Sequence, residues 1–588
     1  MKKVITLTLL LKFILITNAQ NFEWAKKMGG NMEDIGHAIT VDSNGNVYTT
    51  GTFDGTANFD PGLNSYNLTS YGSFDIFISK LDSNGNFLWA TNFGGIDFDR
   101  GLSIAVDGDG NVYTTGVYQG TVDFDPGSGT YNLISSSSWN GDIFLSKLDA
   151  NGNFIWAKSI GGISSETTTT LVLDSYSNIY ITGSFWGTVD FDPGLLIYNL
   201  TATTNNGDIF ISKLDSSGNL QWAKQLSGMA YNTGYSIDVD ANGNVYTTGS
   251  FAGTVDFDPT PGIYNLSSFG AVDIFISKLD SSGNFIWANH MGGTDADFGY
   301  SIAVDGSGNI YTLGTFKGTI DLDPGIGIYN LNSFGYADIF ISKFDTTGNF
   351  LWGKQIGGIS NDIVNSMTID TIGNIYFIGW FGGIVDFDPG PLTYNLSSAG
   401  AADIFVTKLD SNGNLFWAQT FGGSASDIGF SIDVDKAGSI LTTGWFSDTV
   451  DFDNGPGIYN LISAGQLDVF INKISQCAPP TLSMSIIGQN LCHGDSLVSA
   501  YVTATGNAPF IYNWSNGQTT HIATGLPAGT HIVTVTDDSS CAAIATINIT
   551  EPAQIISNIS SIATNYTSPN CNGSVSINLT TGGTPPYA

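Results

Sequence analysis

Seven tryptophans recur at nearly constant spacing. They are Trp24, Trp89, Trp156, Trp222, Trp287, Trp352 and Trp417, at intervals of 65, 67, 66, 65, 65 and 65 residues. Each sits in a version of Asn-Phe-x-Trp-Ala-Lys-x-x-Gly-Gly. A fixed period of this length means one structural unit built repeatedly, each copy burying its apolar face on the next. The chain must therefore form a repeat architecture, and most of it is scaffold.

One repeat, residues 101–162, reads as four short strands. Residues 103–107 and 112–116 flank a tight turn at Gly108-Asp-Gly-Asn111. A longer segment follows, with Asp123-Phe-Asp-Pro-Gly127. Residues 142–148 and 154–158 then flank a second turn, Asp149-Ala-Asn-Gly-Asn153. Four strands per unit is the pattern of a propeller blade. The third strand opens on consecutive apolar residues (Ile76-Phe77-Ile78), as expected where both sheet faces are covered. That strand recurs seven times, from Asp75 to Asp468. The chain enters with a fourth-type strand at 21–27 and leaves after a third-type strand at 468–474, so the first segment is expected to complete the last sheet and remove an open edge. The prediction is an all-β protein with a seven-bladed β-propeller over 20–475. The core Asp-x-x-Gly-Asn-Val-Tyr-x-x-Gly, seen at 42–51 and 240–249, resembles the SBBP family of propeller repeats in secreted bacterial proteins. That resemblance covers 21–475 and implies the fold, not a ligand.

Residues 1–19 read as a signal peptide. Lys2 and Lys3 precede an apolar run from Val4 to Ile16, broken by Lys12, and Thr17-Asn18-Ala19 fits a cleavage site. The run is too short for a membrane span, and no later segment has 18 apolar residues in a row. The mature chain is expected to be secreted, without a transmembrane segment. The net charge is −34, yet only 12% of residues are charged, and 48 of the 52 acids are aspartate. Aspartate favours turns through side-chain-to-backbone bonds. Arg100 is the sole arginine, which argues against a nucleic-acid partner.

All four cysteines, Cys477, Cys492, Cys541 and Cys571, follow the last repeat. Over 476–556 the grammar changes to alternating strands, Gly-rich turns and Trp514, which predicts a small Ig-like β-sandwich stapled by a Cys492–Cys541 disulfide. A second copy begins within 557–588 and stops at Ala588, three residues before its expected Trp, so the chain is expected to be part of a longer repeat protein. These segments resemble the SprB-type repeats of Bacteroidetes cell-surface adhesins, known from gliding motility. That resemblance implies display at the cell surface.

Three groups of residues are candidates for chemistry. The Asp-Phe-Asp-Pro-Gly segments place Asp123 with Asp125, Asp190 with Asp192 and Asp256 with Asp258 two residues apart, on one face of a strand. Such pairs are candidate calcium ligands; the competing reading is a Pro-Gly turn capped by the second Asp, its charge offset by third-strand lysines such as Lys80 and Lys147. Asp99, Asp297 and Asp427 lie in the loop from the fourth strand to the next first strand. Trp139, Trp186, Trp380 and Trp445 break the repeat pattern near the same rim. Aromatics beside acids suit a sugar-like ligand, and packing between inserts is the plainer alternative. Histidine is scarce in the propeller, at His37 and His290, in unrelated contexts, which gives no support to triad or zinc chemistry. The reading is a surface adhesion or binding protein, monomeric in its propeller, that recognises a glycan or protein without requiring a cofactor. A secreted carbohydrate-active enzyme with its site on the long-loop rim is the alternative.

Overall fold

The computed structural model describes residues 20–137, 140–453, 455, 457–476, 480–488, 498–506, 508–537, 542–553, 556–561 and 575–581. Among them every regular element is a β-strand. One compact unit spans Phe22–Ser475, and a second includes Gln476–Ala588.

In the larger unit a four-stranded antiparallel sheet recurs. Asp34–Val41, Val47–Phe53, Asp75–Leu81 and Phe87–Phe93 hydrogen-bond in that order. The same order restarts at Arg100–Val106, Glu166–Leu173, Asn232–Val239, Phe298–Val304 and Asp362–Ile369. The last sheet runs Ile428–Val434, Ile440–Phe446, Asp468–Gln476, and then Gln20–Gly30 from the start of the chain. The result is an all-β, propeller-like array.

The ten-residue motif explains itself locally. One Asp42 carboxylate oxygen accepts the N–H groups of Asn44 and Asn46, and the other accepts the Asn46 amide and the Tyr48 hydroxyl, at 2.7–3.1 Å. Gly45 has φ +80°, which a glycine adopts without steric cost. Tyr48 is fully buried, so its hydroxyl needs that partner. At Gly51 a Cβ would run into the Ile35 carbonyl.

Ile76, Phe77 and Ile78 are all fully buried. Phe77 enters a core with Trp24, Met28, Leu441 and Val469, which joins the last repeat to the first. Ile76 and Ile78 enter the next core, with Ile104, Val112 and Phe144. Side chains that alternate along one strand thus fill two cores. The repeating tryptophan pins successive sheets. Trp89 Nε1 and Lys80 Nζ both donate to the Ala150 carbonyl in the next sheet's turn, at 3.2 and 2.9 Å. Trp24 and Lys473 do the same at Ser83, linking the last sheet to the first. The third-strand lysines therefore serve the hairpin rim and do not offset the Asp-Phe-Asp segments. Lys80 stands opposite Tyr48 in the ladder and lies over its ring at 4.9 Å.

The long insert carries elements the sequence reading left out. Strands of three residues, such as Thr188–Asp190 and Asn199–Thr201, form a small hairpin, and its first strand pairs with Gly161 and Gly162 of the preceding repeat.

In the smaller unit two three-stranded sheets share one core. Thr481–Ile487, Val498–Thr505 and Ile522–Leu526 form the first, and Ile511–Trp514, Gly529–Thr536 and Ala542–Ile549 the second. Trp514 is buried among Val498, Val502, Val533 and Val535. Ile556–Ser561 and Val575–Thr581 form a further antiparallel pair. Residues 1–19, Trp139 and the cysteines 477, 492, 541 and 571 lie outside the described residues. No described helix is long and apolar enough to cross a membrane.

Candidate functional site

The rim tryptophans are not loop residues displayed together. Trp380 and Trp445 belong to the second strands Ile375–Phe381 and Ile440–Phe446, opposite Ile404 and Val469. Trp186 follows the strand Ile179–Phe185 and packs on Gly207, where a Cβ would meet the indole. All three are half-buried and fall in three different sheets.

Asp99, Asp297 and Asp427 are fully buried. Asp297 accepts the N–H groups of Gly293 and Lys317 at 2.8 and 3.2 Å. Asp99 does so with Gly95 and Gln119, and Asp427 with Gly423 and Ser447. Each ties the loop between repeats to the end of a second strand, so its role is to position that loop. Each also feels a third-strand acid of the preceding sheet: Asp75 for Asp99, Asp273 for Asp297, Asp403 for Asp427. Asp142 with Glu166, Asp338 with Asp362 and Asp468 with Asp34 complete the series. Burial, opposed by the backbone donors and reinforced by the facing carboxylate, pushes Asp297 up to about 8 and Asp362 up to about 7. Asp338 and Asp468 each keep one buried oxygen with no hydrogen-bond partner. Burial thus favours the protonated form of these loop carboxyls, and the facing third-strand charge adds to it. In the fourth repeat Asn232, the neutral isostere of a protonated aspartate, occupies this place beside Gly207.

The Asp-Phe-Asp pairs do not share a strand face. The strand Thr121–Asp123 ends at the first aspartate. Asp123 accepts the N–H groups of Asp125 and Tyr131, and Asp125 accepts that of Gly127, at 2.8–3.1 Å. Asp190 with Asp192, and Asp256 with Asp258, repeat the arrangement, with Gly194 and Thr260 as the last donors. In the first repeat Asn58 makes the same two bonds, to Asp60 and Tyr66. The position therefore needs an acceptor, not a charge. Among the described residues no three His, Cys, Asp or Glu side chains gather as a metal site would require.

The place where the repeats differ lies elsewhere. A cavity of about 490 Å³ is lined by the first strand of every repeat. Each of those strands slips register once against its partner, as between Gly36 and Ala38 or Gly299 and Ser301. Such a bulge frees one residue from the ladder and re-aims its side chain. The freed residues are His37, Leu102, Thr169, Tyr235, Tyr300, Asn365 and Phe430, and all seven line the cavity, half-buried. Their neighbours are fixed by structure. Ser103, Ser236, Ser301 and Ser431 each accept an N–H from the adjacent first strand. Tyr235 meets Tyr300 at 5.2 Å and His37 meets Phe430 at 5.5 Å between ring centroids. Burial, with a contribution from the Arg100 charge, pushes His37 down to about 3, so it is neutral. Sequence reasoning missed this ring, although one signal was present: a single repeat position that reads His, Leu, Thr, Tyr, Tyr, Asn, Phe.

Residues 23–60, 221–250 and 286–315 match the SBBP beta-propeller repeat, so the chain carries propeller repeats. Two curated relatives are each 24% identical over 478 residues. One is an uncharacterized WD repeat-containing protein of Acanthamoeba polyphaga mimivirus, with 68% of this chain and 34% of that protein covered. The other is the regulatory protein FlaEY of Caulobacter vibrioides, with 76% and 46% covered. The chain thus spans between a third and a half of their lengths. Among solved structures, Sqt1 from Chaetomium thermophilum is 12% identical with a TM-score of 0.36, covering 78% of this chain and 100% of that one. Likeness at that level says nothing further about this chain.

Proposed function

We propose that the chain is an exported, non-enzymatic binding or adhesion protein. In this reading Phe22–Ser475 is a closed seven-bladed propeller serving as the binding head. Support comes from the shared core of the last and first repeats and from the N-terminal strand beside Asp468–Gln476. The unit after Gln476 is read as the first SprB-like sandwich of a surface stalk, with Cys492 bonded to Cys541. The observation that carries the functional reading is the distribution of differences: clamps repeat from sheet to sheet, while side chains diverge at the cavity-facing bulge. Loops and irregularities on a rigid scaffold are where binding resides. A carbohydrate-active enzyme gains one argument from the carboxyls with raised pKa, but these are buried and recur at successive junctions, which fits a structural duty better. The test is to immobilise the purified chain and measure retention of cells and polysaccharides, alongside turnover of chromogenic glycosides. Retention without turnover is expected. Turnover abolished by one Asp→Asn change would establish the enzyme instead.

A further inference from the structure

We propose that the seven bulge residues form a collar that binds an uncharged carbohydrate inside the cavity. This deepens the binding-head reading and rests on it. The volume, about 490 Å³, falls within the roughly 300–1,000 Å³ typical of small-molecule sites. The collar brings the rings of Tyr235, Tyr300 and Phe430 to the cavity, with Tyr300 backed by Phe298 stacked at 5.8 Å, and aromatic rings suit the apolar C–H face of a sugar. Between them stands Asn365, whose amide N–H donates to the Gly429 carbonyl at 2.7 Å, leaving its oxygen as an acceptor. Neutral His37 adds a ring nitrogen acceptor and an N–H donor.

The charge pattern favours a neutral ligand. No lysine or arginine lines the cavity among the described residues, and Arg100, whose charge reaches His37, stands outside the lining. The acid on the lining, Asp238, is spent on structure: its two oxygens accept the N–H groups of Val239 and Val304, each at 2.8 Å. A cation would have to compete with those bonds. A hydroxylated, neutral ring needs neither charge.

The bulge lies near the start of each first strand, three residues after Asp34 in the first repeat. The collar therefore sits toward the end of the cavity where the loops between repeats emerge, the side from which a chain terminus of a polysaccharide would enter.

Titration calorimetry on the full chain tests this, using glucose, galactose, mannose, N-acetylglucosamine, cellobiose and lactose as probes. At least one should bind. Tyr300→Ala should weaken it about tenfold, the scale of one lost aromatic contact, and Tyr300→Phe should restore it. Asn365→Ala should weaken binding independently, which keeps the test valid if the tyrosine variant misfolds. Tyr176→Ser, on an exposed hairpin turn, should bind like the parent. Binding of no sugar, or unchanged affinity in both Tyr300→Ala and Asn365→Ala, overturns the collar. If the chain still adheres to cells while free sugars and collar variants have no effect, the collar is wrong and the binding head stands. If the chain adheres to nothing, the binding head falls as well.

Discussion

Replacing Asp338 by asparagine should make the protein more resistant to mild alkali. In the fold Asp362 keeps its proton up to about pH 7, against an ordinary 3.8 in the unfolded chain. A raised folded pKa means that this group's share of stability is complete below pH 3.8 and is lost as pH climbs toward 7. The gap of about 3 units corresponds to about 4 kcal/mol at about 1.36 kcal/mol per unit. Burial of Asp362 is the largest cause and persists in the variant, while the facing charge disappears. The substituted side chain keeps an acceptor for the Phe334 N–H and the Gln355 amide, which now sit at 2.9 and 2.6 Å from the Asp338 carboxylate. Its new N–H₂ group occupies the position of the unpartnered Asp338 oxygen and can donate to Asp362. A hydrogen bond to a charged group contributes about 1.5–3 kcal/mol, so we expect about 2 of the 4 kcal/mol to be recovered. Unfolding entropy near 2.1 cal/mol/K per residue gives a unit of this size about 1 °C per kcal/mol. Scanning calorimetry should therefore show the Asp338→Asn chain melting about 2 °C above the parent at pH 8 and level with it at pH 4. An equal difference at both pH values would refute the assignment of the alkaline loss to Asp362 and the charge it faces.

Trp222→Phe deletes the indole bond to the Ser281 carbonyl, now 3.2 Å, and should lower stability by about 1 kcal/mol, read from the urea midpoint. Asp123→Asn should stay within about 0.5 kcal/mol of the parent, because Asn58 already does that work, whereas Asp123→Ala should lose about 1 kcal/mol for the two freed N–H groups. Chelation with EDTA should leave the melting temperature unchanged, and a fall on chelation would establish a bound divalent cation. Deleting residues 20–30 exposes the edge of Asp468–Gln476 and empties Trp24 and Met28 from their core. The cooperative calorimetric transition of the large unit should disappear; its persistence would show that the N-terminal strand is dispensable.

The strands and hairpins were legible because their signals are local. A short β-branched and aromatic run marks Val47–Phe53, and Gly45 with its left-handed φ marks the turn before it. The tryptophan spacing was legible as a period, but its purpose was not, because the Ala150 carbonyl that Trp89 bonds lies 61 residues away in the chain. The same holds for Asp99 and Asp297. A loop aspartate looks exposed in sequence, and only the neighbouring sheet buries it. The insert strands were missed because three residues are too few to display alternation.

The bulge ring was hidden for a different reason. A bulge carries no fixed residue type, and the seven copies here hold six different residues, with only tyrosine appearing twice. In a repeat protein that absence of pattern is itself informative. Positions held by a clamp recur: the glycine that lies beneath the Ile35 carbonyl at Gly51 stands at the same place in all seven repeats. A bulge residue is freed from the ladder, so the scaffold constrains its side chain less: Thr169 and Asn365 reach the carbonyls of Gly234 and Gly429, while the other copies hold rings or leucine. If nothing bound there, drift would favour small polar residues beside water. Instead the ring holds Tyr235, Tyr300, Phe430 and His37, large rings left partly exposed to a cavity. The aromatic surface that stays exposed forgoes burial worth about 25 cal/mol per Å², and a ligand that covers it recovers that amount.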